Sequence, residues 1–278
     1  MAGASGLIGS YLAGFLHEYD LLKINRDDLQ INDQTFADKH KDADIIINLA
    51  GAPVIKRWNR RNRREILNSR ILTTRKLGSI MDHHPEKERL YLSASAIGIY
   101  DDEGIHTEVS KSWGKGFMTE VVKKWEGEVQ KLESSKTKVC LLRTGVVMAA
   151  DGGMLARLLP VFRIGLGARI GKGNQYLSWI HIEDLARGII FLINNWRGGI
   201  YNMTAPGFCT NREFSKILGQ KLGRPARLMV PKPLFILIYG RAAAVVTGGQ
   251  AVIPERLTQD GFCFTYPDID QALEDIVN

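Results

Sequence analysis

Gly3-Ala4-Ser5-Gly6-Leu7-Ile8-Gly9 opens the chain and runs into Ser10-Tyr11-Leu12-Ala13-Gly14-Phe15-Leu16, which carries an apolar stripe at Leu12, Phe15 and Leu16. Glycines at this spacing predict a tight turn entering a helix, with no Cβ atoms to block a close approach. Such a turn offers backbone N–H groups and a helix N-terminus to a pyrophosphate. It also restricts the fold, because it belongs after a buried strand in a βαβ unit. Only Met1 and Ala2 precede it, which leaves three readings. A strand is missing, Met1 lies inside a longer chain, or the sheet has a stub there.

Asp20-Leu21-Leu22-Lys23-Ile24-Asn25-Arg26 reads as a short second strand. At its end an acidic residue would accept from a ribose 2′-OH, whereas a cation suits a 2′-phosphate. Arg26 is a cation, so NADP is favoured over NAD, with Asp27 and Asp28 weakening its field.

Three further runs read as parallel strands covered on both faces: Asp44 to Gly51, Arg89 to Ser95, and Lys138 to Val146. Helical segments fall between them, near 58–82 and 115–133. Alternating strands and helices predict a Rossmann-type, doubly wound parallel sheet, whose ligands sit beyond the carboxyl ends of the strands. Position therefore selects Leu49-Ala50-Gly51, Ser93 to Tyr100 and Arg143 to Val146 as site walls. After residue 150 the texture turns glycine-rich and irregular. Ser178 to Ile182 and Gly199 to Met203 read as returning strands, and Glu183 and Asp184 as caps of an intervening helix. Helices are expected near 211–223 and 232–247, with Leu234 to Tyr239 as a buried helix face. The expected organisation is a Rossmann domain over 1–150, with 176–204 returning to it. A smaller substrate-side lobe takes 151–175 and 205–278.

A net charge of +7 suits an anionic ligand but is poor evidence for nucleic acid. No run reaches the ~18 apolar residues that span a bilayer, so no membrane partner is expected. Three scattered cysteines without C-x-x-C predict reduced thiols, a cytoplasmic location and no metal site.

In this order the segments resemble an extended short-chain dehydrogenase/reductase, and more narrowly the atypical NADP-binding epimerase-family proteins also labelled cell-division-inhibitor homologues. The specific stretches are Ser69-Arg70-Ile71-Leu72-Thr73-Thr74, Ser93-Ala94-Ser95-Ala96-Ile97-Gly98-Ile99-Tyr100, Trp125-Glu126, and Gly173 through Trp179-Ile180-His181 to Asp184. The resemblance implies NADP held by Gly3, Ser5, Gly6, Leu7 and Ile8 of the turn, by Asn25 and Arg26, by Leu49 and Ala50, by Glu65 and Arg70, and by Val146. It implies an oxidoreductase or epimerase acting on a small polar substrate such as a nucleotide sugar.

One departure stands out. The family's Tyr-x-x-x-Lys pair, in which the lysine lowers the tyrosine pKa for proton exchange, is missing from Gly116 to Glu126. Its places hold Phe117 or Met118 and Val121 or Val122. Tyr19 to Lys23 matches the spacing but falls on the wrong strand. Ser95, Tyr100 and His181 remain as candidates for the chemistry, His181 by its native pKa. Gln175, Tyr176 and Trp179 are expected to wall a polar, ring-shaped substrate. A non-catalytic NADP sensor is the alternative. Lys56-Arg57-Trp58-Asn59-Arg60-Arg61-Asn62-Arg63-Arg64 holds six cations in nine residues. Arg57 and Trp58 are placed near the crevice and the rest on a solvated face, which argues against a nucleic-acid partner.

Overall fold

The computed structural model describes residues 1–277. Four parallel strands form its centre, β1 (Ile45–Asn48), β2 (Arg89–Ala96), β3 (Thr137–Thr144) and β4 (Gly199–Met203), in that spatial order. Their β-branched and aliphatic residues face both ways. On β3, Cys140 and Leu142 pack into one core, while Val139 and Leu141 pack into the other. Burial on two faces is what the continuous apolar runs require. Helices α1 (Leu7–Ala13), α2 (Arg60–His83), α3 (Phe117–Gln130) and α4 (Ile182–Asn194) cover the sheet. The α2 helix starts where the Asn59 side chain accepts from Asn62 N–H. Val121, Val122, Trp125 and Val129 form the buried stripe of α3.

Ala2 forms single parallel bridges to Ile24 and to Asn48, so the expected strand over 20–26 shrinks to one residue. In space the sheet runs Ile24, Ala2, β1, β2, β3, β4, and the chain's direction of progress across it reverses between Ala2 and β1. A crevice opens at such a switch point.

A third core gathers Leu155, Leu159, Phe162, Trp179, Phe214 and Leu273 beneath the later part of the chain. Two expectations fail there. The helix over 232–247 breaks at Gly240, where φ is +59°, leaving α5 (Lys232–Tyr239) and a short turn of helix after it. No residue of α5 is buried, and Ile236, Leu237 and Ile238 are all exposed. The segment is helical, but it lies across the outside of the fold rather than inside it.

Candidate active site

The turn at the start of α1 is held by backbone contacts that tolerate no side chain. Gly3 sits at φ +82°, and a Cβ there would come within 2.7 Å of Leu49 C. A Cβ on Gly9 would meet the Gly3 carbonyl oxygen at 2.2 Å. The turn therefore lies flat against Leu49 and Ala50 at the end of β1, and Gly6 starts α1 with no side-chain cap. Its first N–H groups have no side chain to satisfy them.

A cavity of about 1780 Å³ runs from this turn along the carboxyl ends of the strands and under α5. Ile8, Leu49, Ala50, Arg70, Ser95, Tyr100, Val146 and Gln175 line it, so the structure brings these expected site residues together. Gly3, Ser5, Gly6 and Leu7 belong to the turn beside it. Asn25, Arg26 and Glu65 are not part of its wall. Asn25 N–H and the Lys39 ammonium (2.6 Å) both engage the Asp28 carboxylate, one of the two acidic groups expected around Arg26. Glu65 pairs with Lys56 at 2.8 Å, and Lys56 first, with Arg61 and Arg26 beyond it, holds its carboxyl below the usual range.

Arg70 is the distinctive group of this wall. Its Nη1 donates to the carbonyls of Ala52 (3.2 Å) and Ile66 (2.8 Å), and the guanidinium lies 5.1 Å from the Trp125 ring centroid. Among the described residues no carboxylate pairs with it. Burial pushes its pKa down to about 10. A desolvated cation on a cavity wall without an anion is a site that fits one.

Beneath the cavity lies a buried polar chain. Ser95 Oγ donates to Glu126 Oε1 at 2.5 Å. Arg143 meets the same carboxylate in two hydrogen bonds of 2.8 and 2.7 Å, and donates through Nη1 to Tyr100 Oη at 2.8 Å. Tyr100 in turn donates to Asn202 Oδ1 at 2.9 Å. Burial pulls the Arg143 guanidinium down, but the Glu126 bonds and charge outweigh it and hold it above its ordinary value. Burial raises the Tyr100 hydroxyl, with Arg143 opposing. Tyr100 therefore stays protonated at neutral pH, stacked between His106 and Trp113. The sequence reading singled out neither Glu126 nor Arg143 for this pairing. The available signal was a charge inside an apolar stripe: Glu126 interrupts the buried face of α3, and Arg143 the buried run of β3.

The structure corrects two candidates. His181 lies outside the cavity, where its Nδ1 accepts from Glu183 N–H and caps α4. Its Nε2 stands 3.3 Å from Asp275 Oδ2 without the alignment of a hydrogen bond. Burial lowers its pKa, with the charges of Asp275 and Asp184 opposing, so it packs as a neutral ring. His181, rather than Glu183 or Asp184, is therefore the cap. Asp184 is fully buried and accepts from the N–H groups of Thr265 and Tyr266. Trp179 is also fully buried, because its short strand is covered on both sides, and it walls no ligand. Tyr19 donates to Asn194 away from the cavity, which removes the chance Tyr-x-x-x-Lys match. On α3 the cavity meets Phe117, Met118, Val122 and Trp125.

The basic stretch divides as expected only in part. Trp58 and Arg63 line the cavity, with Arg63 over the Phe117 ring. Arg57 instead reaches across to α5, donating to the carbonyls of Ile238 (3.0 Å) and Leu237 (2.8 Å).

Parallel strands, a glycine turn at the switch point and a cleft at the strand ends define a nucleotide-binding protein of the Rossmann class. Residues 1–204 match the NAD dependent epimerase/dehydratase family, and residues 230–276 match a domain of unknown function. An epimerase family protein of Staphylococcus saprophyticus is 33% identical over 293 residues, covering 100% of this chain and 98% of that one. A human epimerase family protein, SDR39U1, solved with NADPH, has a TM-score of 0.88 at 29% identity, over 99% of this chain and 97% of that one. A nucleoside-diphosphate sugar epimerase of Corynebacterium glutamicum gives 0.79 at 26% identity, over 99% of this chain and 57% of that one. The chain belongs to the NAD dependent epimerase/dehydratase family.

Proposed function

We propose that this chain binds NADP(H) in the cleft and uses it to exchange hydride with a carbonyl or alcohol carbon held beside Ser95. One observation carries the reading: Arg70, desolvated and without a carboxylate partner, faces the same cavity as the Ile8 edge of the glycine turn. The human relative's NADPH supports it. The turn from Gly3 to Ile8 would take the pyrophosphate, with Leu49, Ala50 and Val146 beside the coenzyme. Arg26, with Asn25 and near Glu65, would take the 2′-phosphate. The bound coenzyme would supply the hydride to the carbonyl carbon, and solvent the proton that converts the alkoxide to the alcohol, with both returned in the reverse direction. Ser95 orients the substrate oxygen, and the Glu126–Arg143 pair fixes the serine hydroxyl. Residues 1–150 with 176–204 hold the coenzyme in this assignment, and 151–175 with 205–278 face the substrate.

A second reading, a coenzyme-binding sensor without turnover, is favoured by Ser95 already donating to Glu126 and by the lack of any tyrosine on α3. Following nicotinamide absorbance with NADPH and a panel of carbonyl compounds separates the two. Turnover that drops in Ser95→Ala supports hydride transfer. Saturable NADPH binding with no oxidation across the panel supports the sensor.

A further inference from the structure

The cavity has two unlike walls. Its volume, about 1780 Å³, exceeds the ~300–1,000 Å³ of an ordinary ligand pocket, leaving room for a second molecule beside a dinucleotide. Beyond residue 150 the wall is built from groups such as Leu158, Phe162, Leu166, Phe235 and Ile236. Arg241 is the one charged side chain this wall contributes among the described residues.

Several of its polar side chains are already turned to other partners, while Tyr176 and Thr247 also line it. Gln175 Nε2 donates to the Ile170 carbonyl, and Asn211 Oδ1 accepts from Ile170 N–H. Ser178 Oγ donates to the Gln250 carbonyl and Ser215 Oγ to that of Ala168, while Gln250 Nε2 donates to Asp102. A nucleotide sugar would bring a doubly charged diphosphate and a ring of hydroxyls to a wall whose one cation is Arg241. Meanwhile Val161, Leu166 and Ile236 line the cavity yet remain 42%, 53% and 57% exposed. Apolar side chains left open in a concave site mark where an apolar ligand is covered.

We propose that the substrate is an apolar carbonyl compound or alcohol with an extended aliphatic or alicyclic body, and not a nucleotide sugar. Its oxygen lies at the Ser95 end, and its body lies against the wall formed by residues 158–166 and α5. This rests on the coenzyme reading, which places the reacting end of the cleft at Ser95.

The test uses the full chain, with and without saturating NADPH, and follows the fluorescence of the cavity tryptophans Trp58, Trp113 and Trp125. The probes are straight-chain 2-ketones from 2-pentanone to 2-undecanone, against UDP-glucose. Saturable ketone binding that tightens about threefold or more per added CH₂ is expected, with no saturable response to UDP-glucose. Val161→Asp and Ile236→Asp alter exposed positions and leave folding intact; each weakens 2-undecanone at least tenfold while NADPH affinity stays within twofold. Saturation by UDP-glucose without ketone binding overturns the proposal, as does ketone binding indifferent to both substitutions. A flat NADPH titration alongside normal ketone binding overturns the coenzyme reading alone.

Discussion

The two walls of the cleft are made by opposite means. On the coenzyme side the chain presents backbone and a few committed charges. Gly3 and Gly9 press the turn onto β1, Arg70 stands without an anion, and a buried Glu126–Arg143 pair braces the floor. On the far side it presents aliphatic surface, carried partly by a helix with no buried residue. Backbone recognition suits a ligand of fixed shape and charge. An apolar wall selects by size and hydrophobicity and asks little of geometry. The lesson is that one cleft can be rigid in what it demands at one end and permissive at the other.

The largest effect should come from beneath the rigid wall. Glu126→Ala leaves the Arg143 guanidinium buried without its carboxylate, and should lower unfolding free energy by about 3–5 kcal/mol. Urea denaturation reads this directly. An unchanged midpoint would mean that the coenzyme wall does not depend on the pair.

A smaller effect sharpens the same wall. Arg26→Ala should weaken NADPH by roughly tenfold and leave NADH unaltered, since a charged hydrogen bond contributes about 1.5–3 kcal/mol. Parallel titrations of the two coenzymes show it, and equal weakening of both would move the 2′-phosphate elsewhere.

The smallest concerns a residue that belongs to neither wall. His181→Ala should remove an α4 cap worth about 1 kcal/mol and leave NADPH affinity as it was. Burial lowers the His181 pKa in the folded chain, so the unfolded chain binds more protons near its ordinary ~6.5. The corresponding stability is complete above that pH and is lost as pH falls below it. Thermal melts of the variant should show less acid loss than wild type between about pH 7 and 5. A variant that instead loses coenzyme binding would return His181 to the site.

The rigid wall was the legible one. The glycine turn, the strand ends and Arg70 lie around one cavity as the sequence led one to expect, because backbone geometry leaves few residue types able to serve. The far wall was not, because an apolar helix facing a cavity has the same composition as one facing a core. Leu234 to Tyr239 was read as buried for that reason. His181 and Trp179 misled similarly: a short strand covered on both faces looks the same as one that opens onto a ligand. The expected 20–26 strand is reduced to a single bridge at Ile24, a pairing that periodicity alone does not reveal. Glu126 and Arg143 could have been paired from sequence by asking why each charge interrupts an apolar run.

The account turns on whether the desolvated guanidinium at residue 70 is there for an anion. Calorimetric titration of NADPH into wild type and Arg70→Met, side by side, asks this most directly. The expected result is saturable one-to-one binding by wild type, weakened roughly 10- to 100-fold in the variant, whose own melting temperature is no lower. Equal affinity in the two proteins, or no binding by a folded wild type, would contradict it.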